Sequence, residues 1–202
     1  MSYNKNSFGQ IFKNHYCTQT KLMPECDYIS DCIKDKLKDE SGYIFDIGSN
    51  QGLITLPLAY LFPDSKIFSF EPVKENYDLL IENLKANNII NVEAKMIGFG
   101  KKSGKFPLSV VRLDRYKKGN TGTYTLFHES QNESTVEADI FVFEDYLKDN
   151  LNIAKKIFCL KVDTEGAERF ILTEKAIKTM CNLKFVVYET IKQETSKKNK
   201  IP

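Results

Sequence analysis

The sequence predicts a Rossmann-like, doubly wound α/β fold, in which a mainly parallel sheet carries helices on both faces. Short apolar runs alternate with segments of helical periodicity, which is the pattern of successive strand–helix units. A glycine-rich turn follows the first apolar run, and an acidic residue stands at or just after the end of four runs. Two such units in succession, joined by short loops, imply parallel strands with right-handed crossovers.

The composition fits one globular domain. Of the 202 residues, 42% are hydrophobic and 28% are charged, which is enough apolar material for a substantial core. The formal net charge is only +2, and no basic patch is interleaved with aromatic residues. We therefore expect no nucleic-acid partner.

The membrane and redox signals both favour the cytoplasm. No apolar run approaches the roughly 18 to 20 residues of a membrane-spanning helix, and no signal-peptide pattern is visible. The five cysteines include no CxxC pair, which fits reduced thiols better than a disulfide framework or a zinc site. These features predict a cytoplasmic protein without a transmembrane segment.

Residues 1–42 are predicted to form an N-terminal helical extension. Residues 1–23 are weakly patterned, whereas PECDYISDCIKDKLK at 24–38 places apolar side chains at roughly helical spacing. The polar segment DESG closes this helix before the first strand of the main domain.

The segment YIFDIGSNQG at 43–52 is predicted to be the first junction between a strand and a helix. Its apolar run reaches Asp46 and then breaks into a turn that contains Gly48 and Gly52. Two glycines allow a ligand to approach the backbone closely, so the turn is suited to holding a small polar cofactor. An ordinary loop with a helix cap is the alternative.

The next elements continue the same alternation. Residues 53–61 are apolar enough for a helix packed on a sheet, and Pro57 predicts a kink or a late helix start. Residues 66–70 (KIFSF) are predicted to be the second strand, 75–86 (ENYDLLIENLKA) an amphipathic helix, and 92–97 a third strand.

Residues 98–144 differ in character from the rest of the chain. They contain five glycines and short strand-like pieces at 106–111, 123–127 and 136–143, and no long helix fits. We therefore predict a β-rich insert before the fourth core strand.

The main domain is predicted to span residues 43–190 and to end with two further strands. Its last elements are a short helix at 144–150, a continuous apolar strand at 156–162, a helix at 169–180 and a strand at 184–188. Residues 191–202 are rich in lysine and polar residues and are predicted to be a solvated tail.

Four predicted strands run into an acidic residue at or just after their carboxyl ends: Asp46, Glu71, Asp163 and Glu189. In a parallel sheet these ends lie on one edge, where ligands bind at the switch in strand order. A single acid of this kind can be a helix cap or a solvated loop residue. Four together predict a shared acidic crevice.

The charge of this crevice discriminates between cofactors. A dinucleotide-binding turn presents bare N–H groups to a pyrophosphate, which Asp46 would repel, and the DxGxxxG turn lacks the GxGxxG spacing. A cationic sulfonium cofactor would instead be favoured by carboxylates, and Glu71 can accept both of its ribose hydroxyls. The residues therefore favour S-adenosylmethionine over NAD, and an NAD-dependent oxidoreductase is the weaker alternative.

Three segments resemble the FkbM family of class I S-adenosylmethionine-dependent methyltransferases: FDIGSNQG at 45–52, FEP at 70–72 and LKVDTEGAE at 160–168. The resemblance covers residues 43–190. It implies O-methylation, often of sugar hydroxyls in surface polysaccharides or of secondary metabolites.

The resemblance also implies a set of cofactor contacts. Residues of the glycine turn would line the methionine side, Glu71 would hold the ribose, and Ile97 and Gly98 would border the adenine. The complete set of predicted cofactor residues is Asp46, Gly48, Ser49, Asn50, Gly52, Glu71, Pro72, Ile97, Gly98 and Asp163.

The expected chemistry is in-line attack of a substrate hydroxyl on the cofactor methyl group, which requires a positioned base. Asp163 or Glu165 is the candidate base, since both follow the fourth core strand. Alternatively, Asp163 only anchors the cofactor and Glu165 caps the next helix. His128 in the insert is a further candidate base. Asp163 and Glu165 have no further ligand clustered with them in the sequence, so no metal site is predicted.

The resemblance has one departure at its C-terminal end. Class I methyltransferases generally continue past the fifth strand with a helix and an antiparallel strand pair, for which this chain has no matching segment. The strand around Val186 is then expected to be an exposed sheet edge through which the chain could form a homodimer. The same departure supports an alternative function, a catalytically weak or inactive methyltransferase-like binding or interaction protein.

Overall fold

The computed structural model describes residues 2–5, 11–14, 24–110, 124–125 and 135–188. Its strands are β1 (Ser2–Lys5), β2 (Ile11–Asn14), β3 (Tyr43–Ile47), β4 (Lys66–Phe70), β5 (Val92–Lys95), β6 (Gly98–Phe99), β7 (Gly104–Val110), β8 (Tyr124–Thr125), β9 (Thr135–Phe141), β10 (Ile157–Val162) and β11 (Phe185–Tyr188). Its helices are α1 (Pro24–Leu37), α2 (Thr55–Leu61), α3 (Lys74–Ala86), α4 (Phe143–Asp149), α5 (Leu151–Ala154), α6 (Glu168–Ile171) and α7 (Glu174–Thr179).

The core is a parallel five-stranded sheet in the order β11-β10-β3-β4-β5. From β3 the chain first adds β4 and β5 on one side, and later returns to add β10 and β11 on the other. The switch in strand order therefore lies between β3 and β10, where open α/β sheets bind their ligands. This topology confirms the predicted Rossmann-like fold.

Helices cover both faces of this sheet. On one face α1 and α2 pack on apolar side chains such as Ile44 and Ile67, and α3 packs beside them on β5. On the other face α4 to α7 pack on Phe45, Phe68 and Leu160. Successive residues of a strand point to opposite faces, so each core strand serves both layers.

A bulge in β10 adjusts this alternation. The register with β3 shifts between Ile157 and Cys159, and Phe158 and Cys159 pack in the same cluster on the α1 and α2 face. Burial, together with the charge of Asp46, raises the pKa of the Cys159 thiol to about 12, so this cysteine acts as a packing residue. After the bulge the alternation resumes and Lys161 points to the same face as Asp46.

The N-terminal region differs from the predicted helical extension. The helix at α1 is present, but β1 and β2 precede it as an antiparallel pair in which Ser2 lies opposite Asn14. Each of these strands has four residues. So short a segment holds too few alternations for its periodicity to identify a strand.

Two helical segments differ in extent from the predicted ones. The helix after the glycine turn begins only at Thr55, so the predicted late start is confirmed. Pro57 then lies in the first helical turn, where a missing N–H costs nothing because no intrahelical acceptor is available there. The single helix predicted at 169–180 is wrong, because the chain forms α6 and α7 instead. Thr173 separates them, since its extended backbone ends the first helix and its hydroxyl accepts the Ala176 N–H to cap the second.

The predicted β-rich insert contains a second sheet, in the order β6-β9-β7-β8. The third core strand ends at Lys95, earlier than predicted, and the chain enters this second sheet at Gly98. There β6 pairs in parallel with β9, whereas β7 pairs antiparallel with both β9 and β8. Of the strand predicted at 123–127, only Tyr124 and Thr125 are among the described residues.

Two further expectations concern the end of the described chain. Among the described strands β11 pairs only with β10, so its other edge has no strand partner there. Glu189, the tail and any strand pair after β11 lie outside the described residues. None of the described helices combines the length and hydropathy needed to cross a membrane.

Candidate functional site

The glycine turn and the loop after β10 meet at the carboxyl edge of the sheet, beside the switch in strand order. The Asp163 N–H donates to the Ile47 carbonyl at 3.0 Å. Gly48 has a φ of +78°, and a Cβ atom there would lie 1.7 Å from the Asp163 carbonyl oxygen. Only glycine permits this contact, so the two loops form one continuous backbone surface.

Every backbone N–H from Gly48 to Gly52 has an acceptor. The N–H groups of Gly48 and Ser49 both donate to the Phe70 carbonyl. Asn50 N–H donates to the Glu71 carboxylate, Gln51 N–H to the side-chain oxygen of Asn50, and Gly52 N–H to the Ser49 carbonyl. A phosphate-binding turn leaves such groups open toward its anion. This turn therefore offers no row of free donors to a pyrophosphate, in agreement with the choice of cofactor that the sequence favours.

Asp46, predicted to contact the cofactor, is completely buried and paired. Its Oδ1 lies 3.0 Å from the Nζ atom of Lys161, which is also buried, and its Oδ2 accepts the Thr55 hydroxyl at 2.6 Å. Thr55 in turn lies 3.2 Å from the hydroxyl of Ser69. The α2 face of the sheet thus carries a buried polar layer directly below the glycine turn.

Glu71 follows β4 and folds over the same turn. Its Oε2 accepts the Asn50 N–H at 2.8 Å, and its Oε1 accepts the Val73 N–H at 2.9 Å. Burial raises the pKa of this carboxyl to about 7, although those hydrogen bonds, a contact from Asn76 and the charge of Lys161 oppose the shift. Near neutral pH the group is therefore balanced between its neutral and its charged form.

Pro72 and Gly98 are brought together beside Glu71. A Cβ atom on Gly98 would lie 3.1 Å from the Cβ of Pro72 and 2.8 Å from Cδ1 of Ile140. Ile97, the preceding residue, packs partly buried against the core cluster that contains Phe99. The predicted adenine residues thus form an apolar corner in contact with the residue after Glu71.

The loop at 163–166 is tied down by Glu168. One carboxylate oxygen of Glu168 accepts both the N–H and the hydroxyl of Thr164 at 2.8 Å, and the other accepts the Gly166 N–H at 3.0 Å. Between these contacts Glu165 has a left-handed φ of +54°, which is uncommon for a residue with a side chain. Asp163 is 41% exposed, with Oδ2 3.7 Å from Nζ of Lys161. Both candidate bases thus sit on an ordered loop.

Three buried polar atoms near Glu71 and the glycine turn indicate whether S-adenosylmethionine fits this site. Ser49 Oγ, Gln51 Oε1 and Asn76 Oδ1 have no hydrogen-bond partner among the described residues. Buried polar atoms are normally satisfied, so an unsatisfied set indicates a bound polar molecule or water. A ribose and an amino-acid tail supply the hydroxyl and ammonium donors that such oxygens accept, so these residues fit S-adenosylmethionine.

Sequence reasoning missed three residues of this site. Lys161 had a signal, since a lysine within a strand that is buried on both faces must have a partner. Glu168 had the weaker signal of an acid two residues after Gly166 at a helix start. Asn83, whose amide donates to the Gln51 carbonyl at 2.9 Å, is a buried polar residue on the packed face of α3.

His128 and Glu189 lie outside the described residues, so His128 stays a prediction. Within the described part of the chain, no three histidine, cysteine, aspartate or glutamate side chains are grouped as a metal site would require.

Comparison with known proteins identifies the family. The family model "Methyltransferase FkbM domain" matches residues 46–200, and the chain belongs to this family of methyltransferases. Methyltransferase 1 of Beauveria bassiana is 26% identical over 72% of this chain and 63% of its own length. Methyltransferase sdnD of Sordaria araneosa is 29% identical over 64% of this chain and 59% of its own. The chain thus spans about three fifths of either curated relative.

Solved structures give a more distant likeness. The SAM-dependent methyltransferase from Agrobacterium tumefaciens aligns with 85% of this chain and 47% of its own, at a TM-score of 0.48 and 8% identity.

Proposed function

We propose that this chain transfers a methyl group from S-adenosylmethionine to a hydroxyl oxygen of a sugar, a glycan or a secondary metabolite. The observation that carries this proposal is the position of Glu71, whose carboxylate bridges the end of β4 and the glycine turn at 2.8 Å from the Asn50 nitrogen. Membership of the FkbM family supports the same reaction class.

The residues that would hold the cofactor surround this carboxylate. Each Glu71 oxygen accepts one backbone N–H, and Oε1 also accepts a long contact of 3.5 Å from the Asn76 amide. Ribose hydroxyls can therefore donate to the remaining lone pair of Oε2 and, in place of Asn76, to Oε1. Pro72 and Gly98 offer an apolar corner for the adenine, and the turn offers the Ser49 hydroxyl to the amino-acid tail. When bound, the cofactor supplies an electrophilic methyl group on a cationic sulfur.

The charges of the site suit a cation. The positive charge of Lys161 and the negative charge of Asp46 offset each other. Asp163 adds a negative charge that is partly exposed on the loop beside the turn. The net electrostatic potential of the site is therefore negative, which favours the cationic sulfonium and ammonium groups of S-adenosylmethionine over an anionic pyrophosphate.

Asp163 or Glu165 would accept the proton of the attacking hydroxyl. An alcohol is a poor nucleophile near neutral pH, so a base that takes its proton as the bond forms lowers the barrier. Glu168 holds the loop that carries both groups, which limits their motion relative to the turn. His128 is the alternative base.

Isothermal calorimetry with S-adenosylmethionine, S-adenosylhomocysteine and NAD tests the cofactor. We expect the first two to bind and NAD not to bind. Absence of binding to both sulfur compounds would overturn the methyltransferase proposal and favour a methyltransferase-like interaction protein. Binding of NAD alone would favour an oxidoreductase.

Transfer of a labelled methyl group to nucleotide sugars, oligosaccharides and small hydroxylated metabolites tests the acceptor. With an acceptor in hand, Asp163→Asn and Glu165→Gln identify the base, since removal of a general base lowers kcat by about 10²- to 10⁴-fold. Wild-type turnover in both variants would remove them as bases and leave His128→Ala as the next variant.

The biological setting belongs to the same proposal. The FkbM resemblance favours a role in polysaccharide biosynthesis, and the cysteine pattern favours the reducing cytoplasm. The edge of β11 that has no partner among the described strands favours a homodimer, which sedimentation at several protein concentrations would detect. A monomer at every concentration would exclude this pairing.

A further inference from the structure

Lys161 is a buried lysine for which the proposed reaction has no use. Only 4% of its side chain is exposed, and it lies in β10 on the α2 face of the sheet. Taking an ammonium group out of water is costly unless charged and hydrogen-bonding partners replace the water. Its surroundings therefore show which groups the lysine serves.

The ammonium group of Lys161 contacts three separate parts of the site. It donates a hydrogen bond of 2.8 Å to the Gly48 carbonyl in the glycine turn. It lies 3.0 Å from Oδ1 of Asp46 at the end of β3 and 3.7 Å from Oδ2 of Asp163 on the acidic loop. One side chain thus joins the strand end, the turn and the loop.

The hydrogen bond to the Gly48 carbonyl indicates that Lys161 does more than neutralise Asp46. The Gly48 carbonyl accepts a hydrogen bond of 2.8 Å from the ammonium group, which is shorter than the 3.0 Å contact between that group and Asp46 Oδ1. Gly48 also lies against the Asp163 carbonyl, so its orientation determines how the two loops meet. A lysine that only neutralised Asp46 would not need to reach this carbonyl.

We propose that Lys161 is a positioning residue that holds the glycine turn against the loop at 163–166, with Asp46 as its buried counter-ion. The proposal rests on the proposed function, because the turn and the loop are the two sides of the methyltransferase site. Lys161 acts through Gly48 and Asp163 and is not itself a catalytic residue.

Two double variants separate this role from charge pairing. Asp46→Asn with Lys161→Met removes both charges and the donor to Gly48, and Asp46→Asn with Lys161→Gln removes both charges but keeps an N–H donor. Because both contain the same substitution at 46, their difference reports the donor alone. Lys95→Met is the control, since Lys95 is a partly buried sheet lysine paired with Glu93 in β5.

Amide hydrogen exchange gives a readout that needs no cofactor. In the Met double variant we expect exchange at Gly48, Ser49 and Asp163 to rise at least tenfold at an unchanged global stability. The Gln double variant should show a smaller rise and Lys95→Met none. Equal, wild-type exchange in both double variants would overturn the proposal. Loss of cooperative thermal unfolding in both would also overturn it, because the pair would then hold the whole fold.

Calorimetry with S-adenosylhomocysteine links the position of the turn to binding. We expect the Met double variant to bind at least tenfold more weakly than the Gln double variant. Equal affinities in the two would overturn the proposed role in the site. If the wild-type chain bound neither S-adenosylmethionine nor S-adenosylhomocysteine while exchange rose as expected, the proposed function would fail and the positioning of the turn by Lys161 would stand.

Discussion

Among the described residues, both faces of the central sheet have an apolar core, but only the face covered by α1 and α2 also contains buried charges. Phe45 points to the face covered by α4, where its ring centre lies 5.2 Å from Phe68, 5.1 Å from Phe70 and 6.5 Å from Tyr146. Asp46, the next residue, points to the other face and meets Lys161. One face is held by aromatic packing and the other contains the buried charges below the candidate site.

This difference separates stability from positioning. The hydrophobic effect is non-directional and grows with the apolar area buried, so it holds the strands together without determining where a polar group lies. A buried ion pair contributes little net stability, but it has only one arrangement that satisfies both partners. The aromatic face therefore stabilises the sheet, and the polar layer orients the glycine turn.

The largest effect is expected on the aromatic face. Phe45→Ala should lower the free energy of unfolding by about 3 to 5 kcal/mol, because a buried ring is lost and a cavity remains. Chemical denaturation measures the loss. Tyr60→Ala, at a residue that is 61% exposed, should change stability by less than about 0.5 kcal/mol. A loss below about 1 kcal/mol in Phe45→Ala would contradict the division between the faces.

The second effect is the pH dependence of stability caused by Glu71. Its pKa is raised from 4.5 to about 7 in the folded protein. Between these values the folded chain keeps a proton that the unfolded chain has released, so stability decreases as pH rises through this window and is flat above it. The contribution amounts to about 3 kcal/mol.

Urea unfolding of wild-type protein and Glu71→Gln between pH 4 and 8 measures this contribution. The glutamine variant should lack the Glu71 component of the decrease. Parallel curves for the two proteins would show that Glu71 titrates with an ordinary pKa, and hence that the carboxyl is better solvated than its burial indicates.

A smaller effect is expected within the polar layer. Thr55→Val keeps the shape of the side chain but removes the hydroxyl that donates to Asp46 at 2.6 Å. The loss should be about 2 kcal/mol, the scale of a hydrogen bond to a charged group. Ser69→Ala, which removes only the longer 3.2 Å contact with Thr55, is the matched control and should cost less. Equal losses would show that the layer does not depend on the Asp46 contact.

The smallest effect concerns ligand affinity. If ionised Glu71 accepts the ribose hydroxyls, its pKa of about 7 makes S-adenosylhomocysteine bind about tenfold more tightly at pH 8 than at pH 6. Calorimetry on wild type and Glu71→Gln in parallel removes the titration of the ligand from the comparison. The same pH profile in both proteins would exclude Glu71 as the titrating group.

Much of the fold could be predicted from the chain because its signals are local. The apolar runs at β3, β4 and β10 and the helices α1 and α3 follow from periodicity over short windows. The split into α6 and α7 could not, since it depends on Thr173 acting as a cap within a segment of helical character. The pair β1 and β2 was missed because four residues contain almost no periodic signal.

The candidate site divides in the same way. The strand-end acids and the glycine turn stand at positions that the strand–helix pattern alone determines, and their common edge follows from parallel pairing. The partners of these acids do not follow from it. Whether Asp46 faces a cofactor or a lysine depends on which strand lies beside β3, and that strand is supplied much later in the chain.

The sequence by itself thus determined the fold class, the turn and the acidic edge, because each is specified by neighbouring residues and their spacing. Only the tertiary structure decided that Asp46 is paired with Lys161, that Glu71 is folded over the turn with a raised pKa, and that Glu168 holds the acidic loop. These contacts require strand order and burial, and both result from packing the whole chain around one core.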